Sequence, residues 1–270
     1  MENLKSHLIN RIQTAFALFG VYLTKSTPKD VLVDFISGLE PVISEKELIR
    51  LGQYSDGGYL VPSDLVGISK CFSPGVADVA DFEFEMVNKG IQCFLADFSV
   101  DKAPFAHPLL DFKKKFIGVS NSDQYIEINS WIAQNSTKDD DLILQMDIEG
   151  DEYNTLLAMN PELLARFRIL IIEFHNLHQI FSFESFKHVK ATFEKLQDAF
   201  YIVHAHPNNN NESVGRKISS VNISPTIEMT LIRKNRINHV GGKANLPHPL
   251  DRPNNSKRAD MKLPNLWKSP

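Results

Sequence analysis

The sequence predicts a doubly wound α/β fold, with a mostly parallel seven-stranded sheet. An N-terminal extension of helices and a hairpin precedes it, and an irregular basic tail follows. Three observations lead there: apolar strand-like runs recur from residue 69 onward, amphipathic helical patterns fill most of the gaps, and acidic residues and histidines cluster directly after the runs. Strands alternating with helices build right-handed βαβ units and a parallel sheet covered on both faces. In such a sheet the ligand belongs at the carboxyl ends of the strands, near the switch point.

Taken in order, Leu4, Leu8, Ile12, Phe16, Phe19 and Leu23 recur every three to four residues and predict an amphipathic helix over 4–23, ended by Lys25–Pro28. Its apolar stripe is expected to pack on the domain or on a second copy, so a homo-oligomer is one expectation. Val31, Leu32, Phe35, Ile36 and Leu39 predict a second short helix. Glu47–Gly52, then Ser55-Asp56-Gly57-Gly58 and Tyr59-Leu60-Val61, read as a hairpin.

The strand runs are Lys70–Ser73, Ile91–Ala96, Lys115–Val119, Leu142–Met146, Ile169–Phe174, Tyr201–Ala205 and Ile227–Ile232. Between them, Phe82, Met86 and Val87 mark a helix closed by Gly90. Tyr125, Ile128 and Ile132 mark the next, and Tyr153, Leu156 and Leu157 another. Asn160-Pro161 starts a short helix, as cap and first-turn proline. Phe183, Phe186, Val189, Phe193 and Leu196 define the last. The step from the sixth to the seventh run contains no helix, which fits an antiparallel closing pair. The expected divisions are an extension over 1–68, the α/β domain over 69–234 and the tail over 235–270.

Composition narrows the class. Of 270 residues, 43% are hydrophobic and 23% charged, which is ordinary globular usage. The longest apolar candidate, Ala15 to Leu23, is about half of a membrane span, so no transmembrane segment and no secretory signal are expected. Cys71 and Cys93 make neither a disulfide framework nor a zinc cage, and read as reduced thiols of a cytoplasmic protein. A net charge of −4 argues against a nucleic-acid binder. Residues 233–270 nevertheless hold nine Lys/Arg against two Asp/Glu, with five of the fourteen prolines. That composition reads as a poorly regular extension that wraps or dangles, either a solvated tail or a surface for acidic partners or an anionic substrate.

The candidate site lies at the strand ends. The first run ends in Ser73-Pro74-Gly75-Val76-Ala77-Asp78, a small-residue turn that lets backbone approach a cofactor. With one glycine in place of Gly-x-Gly-x-x-Gly, it is a poor pyrophosphate cradle. The second run ends in Asp97, where an acidic side chain can accept both hydroxyl protons of a ribose. The fourth ends in Gln145-Met146-Asp147-Ile148-Glu149-Gly150-Asp151-Glu152, and the fifth in Glu173-Phe174-His175-Asn176. On adjacent strands, Asp147 could converge with Glu173 or His175, a combination suited to a divalent metal or a general base. Glu149 could equally cap the following helix. His204 and His206, at i and i+2, share a strand face and are compatible with one metal.

These motifs together resemble a family. Leu144-Gln145-Met146-Asp147-Ile148-Glu149-Gly150-Asp151-Glu152 is similar to the K-M-D-I-E-G-x-E signature of FkbM-type methyltransferases, with a helix expected before it at Asp123–Asn135 and Ile171–His175 after it. Asp56-Gly57-Gly58-Tyr59 resembles the D-G-G-Y/W hairpin of a related branch, and Phe72–Glu83 with Ala96-Asp97 occupy the cofactor-loop and ribose-acid positions. The likeness spans roughly residues 47–235. It implies a Rossmann-like class I methyltransferase fold, S-adenosyl-L-methionine as cofactor, and methylation of a hydroxyl on a carbohydrate or small-molecule acceptor.

The cofactor positions so implied are Ser73, Pro74, Gly75, Asp97, Ser120 and Asp147. His175 is the expected base, with Asp147 and Glu173 orienting it or joining it around Mg2+ or Mn2+. Two departures matter: Ser73-Pro74-Gly75 with Ala77 replaces Gly-x-Gly, and Gln145 replaces Lys. The sequence also leaves room for another Rossmann-like nucleotide-dependent sugar-modifying enzyme, or for a degenerate methyltransferase fold acting as a binding module.

Overall fold

The computed structural model describes residues 2–210, 216–218, 221–264 and 267. Seven strands form the central sheet: β1 (Ile68–Pro74), β2 (Gln92–Ala96), β3 (Leu110–Lys113), β4 (Asp141–Met146), β5 (Phe167–Phe174), β6 (Phe200–Pro207) and β7 (Ile227–Arg233). Their order across the sheet is 3-2-1-4-5-7-6. Strands 3-2-1-4-5 run parallel, and β7 inserts antiparallel between β5 and β6. The chain thus reverses direction between β1 and β4. That switch point is where the two halves of the sheet part and a ligand can enter.

Each β1–β5 connection crosses over the sheet, and burial on both faces explains the near-continuous apolar runs. All eight residues of β5 are buried, including Phe167, Ile169, Leu170, Ile171, Ile172 and Phe174. One face is covered by the helices Ile128–Asn135, Glu152–Ala158 and Phe183–Ala199 around Trp131, Tyr153 and Phe193. The other carries the helix Asp81–Asn88 and the hairpin Leu48–Leu51 with Tyr59–Pro62, around Tyr59, Phe82 and Met86. Cys71 and Cys93 are buried, free, and register partners on β1 and β2.

The third strand differs from the sequence reading. Leu110–Lys113 pairs with β2, whereas Phe116–Gly118 pairs in parallel with Tyr125–Glu127 in a separate two-stranded ribbon. Both segments suit a strand, and pairing with β2 decided which joined the sheet. The helix expected from Asp123 consequently starts at Ile128, where the Glu127 carboxylate caps it by accepting the N–H groups of Asn129 and Ser130.

The first helix covers Glu2–Ala17 and ends before Gly20, whose φ is +71°, so it is shorter than expected. Ile9, Ile12, Phe16, Leu18 and Phe19 are exposed in the single chain. Among the described residues, no helix is long and apolar enough to cross a membrane.

The basic tail is not a solvated appendage. Val240–Lys243 pairs antiparallel with Val42–Ser44, Arg236 grips Asp64 through two nitrogens, and Trp267 is buried. His204 and His206 do not share a metal geometry either. Each faces its own tail carboxylate, with His204 Nε2 2.8 Å from Asp251 and His206 Nε2 3.1 Å from Asp260. The two side chains do leave one strand face together, as their i, i+2 spacing requires, but the tail folds over them and supplies a partner for each.

Candidate active site

At the carboxyl end of the sheet, β1 turns sharply through Gly75, whose φ is +81°. Its N–H donates to the Ala96 carbonyl at 3.0 Å, and a Cβ there would stand 1.6 Å from the Asp147 carbonyl oxygen. Glycine is therefore required both by the left-handed backbone and by the approach of the β4 end. Beyond this turn lies a cavity of about 430 Å³. Phe116, Ile117 and Tyr125 form its apolar side, Asp97 its floor at β2, and Asp147, Glu149 and Asp151 its acidic end.

Asp97 is nearly buried and holds the loop in shape. Its Oδ2 accepts the Ala77 N–H at 2.8 Å, while Oδ1 accepts both the N–H and the hydroxyl of Ser99 at 2.7 Å. Oδ1 is saturated, so one acceptor position on Oδ2 remains, where the sequence reading expected two. Ser73 and Pro74 do not line the cavity. Pro74 supplies the carbonyl that accepts the Asp147 N–H at 3.1 Å, and the Ser73 hydroxyl is fully buried between Glu83 and Gln145. Ser120 is exposed and lies outside the cavity lining.

Gln145, where the family signature has Lys, is buried and bonds to Ser73 and Tyr59. Its Oε1 accepts from Ser73 at 2.8 Å and its Nε2 donates to the Tyr59 hydroxyl at 3.0 Å. The charge lost with that lysine is replaced by a neutral buried network. Glu83 completes it: burial pushes its carboxyl up to about 7. A protonated Glu83 also resolves the hydrogen-bond count, because the single Ser73 hydrogen faces two acceptor oxygens.

A second, polar cavity of about 350 Å³ opens beside the first and shares Asp147 and Glu149 with it. His175 stands in its wall, just past β5. The imidazole Nε2 lies 3.8 Å from Asp147 Oδ1, 3.5 Å from Glu149 Oε2 and 3.5 Å from Glu173 Oε1. The expected convergence of Asp147, Glu173 and His175 is therefore present. Ligand atoms of Asp147, Glu149 and His175 all lie within 4.8 Å of one another, whereas Glu173 belongs to a second acidic cluster with Asp56 and Glu228.

Glu152 is the residue the sequence reading missed. It is fully buried, and its Oε1 accepts the N–H groups of Ile148 and Gly150 while standing 3.0 Å from His175 Nδ1. Glu149, which could have capped the following helix, instead adopts φ +57° and leaves its side chain mostly exposed. The available signal was its place three residues past Glu149, at the start of a helix.

Electrostatics follow from burial of so many acids. Burial, with the charges of Glu149 and Glu152, pushes Asp147 up to about 7 against the pull of His175. Burial and the charges of Asp147 and Glu228 push Glu173 well above the carboxylate range. For His175, burial acts downward but is outweighed by the Glu152 hydrogen bond and the surrounding carboxylates, so its pKa is raised.

Residues 84–203 match the family described as the methyltransferase FkbM domain. Among solved structures, the chain is similar to the N-methyltransferase NodS from Bradyrhizobium japonicum WM9, with 12% identity over 62% of this chain and 86% of that one, at a TM-score of 0.35. A protein provisionally named an rRNA-methylase from Clostridium thermocellum gives 11% identity, 78% and 98% coverage and a TM-score of 0.36. No curated protein matches the chain.

Proposed function

We propose that this chain, whose residues 84–203 match the methyltransferase FkbM domain, is an S-adenosylmethionine-dependent O-methyltransferase acting on a hydroxyl of a carbohydrate or small metabolite. Residues 69–234 are taken as its catalytic domain. The observation that carries this reading is the pair of cavities meeting at Asp147 and Glu149, with His175 Nε2 at their junction.

The first cavity suits S-adenosylmethionine on its own chemistry. The Phe116–Tyr125 side offers aromatic surface to a purine, Asp97 Oδ2 offers an acceptor to a ribose hydroxyl, and the acidic end complements a cationic methionine moiety. The same acidic end would repel a pyrophosphate, which argues against a dinucleotide. Bound there, S-adenosylmethionine would supply a methyl group activated by its sulfonium.

The second cavity supplies the acceptor. Its described lining contains Asp56, Glu173, His175, Asn208 and Asn210 and no lysine or arginine, so it favours neutral or cationic polyhydroxyl compounds over phosphorylated ones. His175 Nε2 takes the proton from the acceptor hydroxyl, while Glu152 holds Nδ1–H and so fixes the tautomer that leaves Nε2 free. The raised pKa of His175 suits it to keep that proton once taken. Orientation by these rigid strand ends supplies the remainder of the rate. The buried free thiols of Cys71 and Cys93 suit a reducing, cytoplasmic setting.

One observation favours a second reading. Asp147 Oδ1 has no hydrogen-bond partner among the described residues, and with Glu149 and His175 it could hold Mg2+ or Mn2+. Glu152 would then be the outer carboxylate that commonly orients a metal-binding histidine. The two readings separate cleanly. With His175 as base, His175→Ala lowers kcat by about 10²–10⁴-fold and a chelator does little. With a metal, chelation abolishes turnover and added Mg2+ or Mn2+ restores it. An active enzyme indifferent to both treatments would contradict both.

A further inference from the structure

Three carboxylates from distant parts of the chain meet beside the second cavity. Asp56 comes from the turn joining the hairpin strands, Glu173 from the end of β5 and Glu228 from the start of β7. One ligand oxygen of each lies within 4.8 Å of the other two. Glu173 and Glu228 are register partners on antiparallel strands, and they are only 4% and 8% exposed. Like charges so placed repel, and burial removes the water that would screen them.

What surrounds them is mostly neutral. Among the described residues, no lysine or arginine forms an ion pair with any of the three; the Arg50 charge reaches Glu228 from farther off, and His175 Nε2 and His206 Nδ1 stand 3.5 Å from Glu173 and 3.9 Å from Glu228. The donors are amides: Asn208 Nδ2 to Glu173 Oε1 at 2.7 Å, Asn210 Nδ2 to Asp56 Oδ2 at 3.0 Å, and Asn254 Nδ2 to Glu228 and Asp56. These amides leave Glu173 Oε2 buried and without a hydrogen-bond partner among the described residues. A buried carboxylate oxygen with no donor is costly unless a proton or a cation sits against it.

We propose that Asp56, Glu173 and Glu228 bind a hard divalent cation, with calcium preferred to magnesium. The cluster offers oxygen only, the donor type of calcium and magnesium sites. A site whose two strand carboxylates are buried leaves little room for the waters that magnesium keeps, and so favours calcium. With both strand carboxylates buried, the space suits a bare ion better than an ammonium carrying an alkyl chain.

Such an ion would pin the hairpin turn to β5 and β7. The tail is joined to the same point, because the Asp56 N–H donates to the Asn254 carbonyl at 3.2 Å. The site differs from the Asp147–Glu149–His175 cluster and does not depend on the identity of the methyl donor.

The test uses the full chain, stripped with a chelator and titrated by calorimetry with calcium chloride, and separately with magnesium chloride, in the absence of cofactor. The expected result is saturable calcium binding, weaker magnesium binding and a higher Tm with calcium. Glu228→Gln and Asp56→Asn should each weaken calcium binding at least about tenfold, the scale on which even an outer partner of a ligand is felt. Asp56→Asn, in a turn, keeps the test alive if the strand variant does not fold. Asp147→Asn, in the neighbouring cluster, should retain binding. Absence of saturable heat and of any thermal shift at millimolar calcium would overturn the proposal, as would binding that survives both cluster substitutions or that only Asp147→Asn removes. Tighter magnesium binding would overturn the preference.

Discussion

Glu152 Oε1 stands 3.0 Å from His175 Nδ1 while accepting the backbone N–H groups of Ile148 and Gly150. One buried carboxylate therefore closes the turn after β4 and orients the imidazole at the end of β5. The helix Glu152–Ala158 begins at this residue, so the sheet, the helix and the imidazole are held by a single group.

Removing only the charge of Glu152 tests that arrangement. In Glu152→Gln the amide oxygen can still accept from the turn, but the imidazole loses its anionic partner. Steady-state kinetics should show kcat lowered by about 10–100-fold, with S-adenosylhomocysteine affinity close to wild type. Unchanged kcat would show that His175 needs no anchor, or takes no part.

Gly75 tests the turn itself. An alanine there would adopt a left-handed backbone at a cost of about 1–2 kcal/mol and push against the Asp147 carbonyl, 1.6 Å from its Cβ. The end of β4 must shift in response. Gly75→Ala should lower Tm and lose cofactor binding together; calorimetry at wild-type affinity would show that this turn does not shape the cavity.

How much of this was readable beforehand depends on the range of the interactions. Asp97, Asp147 and His175 follow apolar runs directly and Glu173 is the last residue but one of such a run, so local pattern placed them at strand ends, and the strand order brought them together. The choice between Leu110–Lys113 and Phe116–Gly118 rested on pairing across the chain, which periodicity does not encode. Glu152 was hidden because the positive φ values of Glu149 and Gly150 turn the backbone so that the later acid, not the earlier one, faces the loop. Asp56 and Glu228 lie more than fifty residues from Glu173, and the tail partners of His204 and His206 lie more than forty residues from those histidines. Nothing local in the sequence marks such partners.

The buried Glu83 predicts a pH dependence of stability. Its folded pKa, about 7, lies above the ordinary value of 4.5, so the folded state holds a proton that the unfolded state has released between these values. The stabilisation is present below about pH 4.5 and is lost as pH rises through about 7, reaching on the order of 3 kcal/mol. Glu83→Gln, which mimics the neutral acid, should match wild type near the lower limit and exceed it by that order at about pH 8. Denaturant unfolding of both proteins across this range checks it, and parallel curves would mean that Glu83 stays ionised.

The central claim is that the cavity between Gly75, Asp97 and Asp147 holds the methyl donor, and titration calorimetry with S-adenosylhomocysteine tests it most directly. The account predicts one saturable site, weakened in Asp97→Ala by about 1.5–3 kcal/mol through loss of one charge-assisted hydrogen bond. No heat and no thermal shift with wild-type protein at millimolar ligand, or equal affinity in Asp97→Ala, would contradict it.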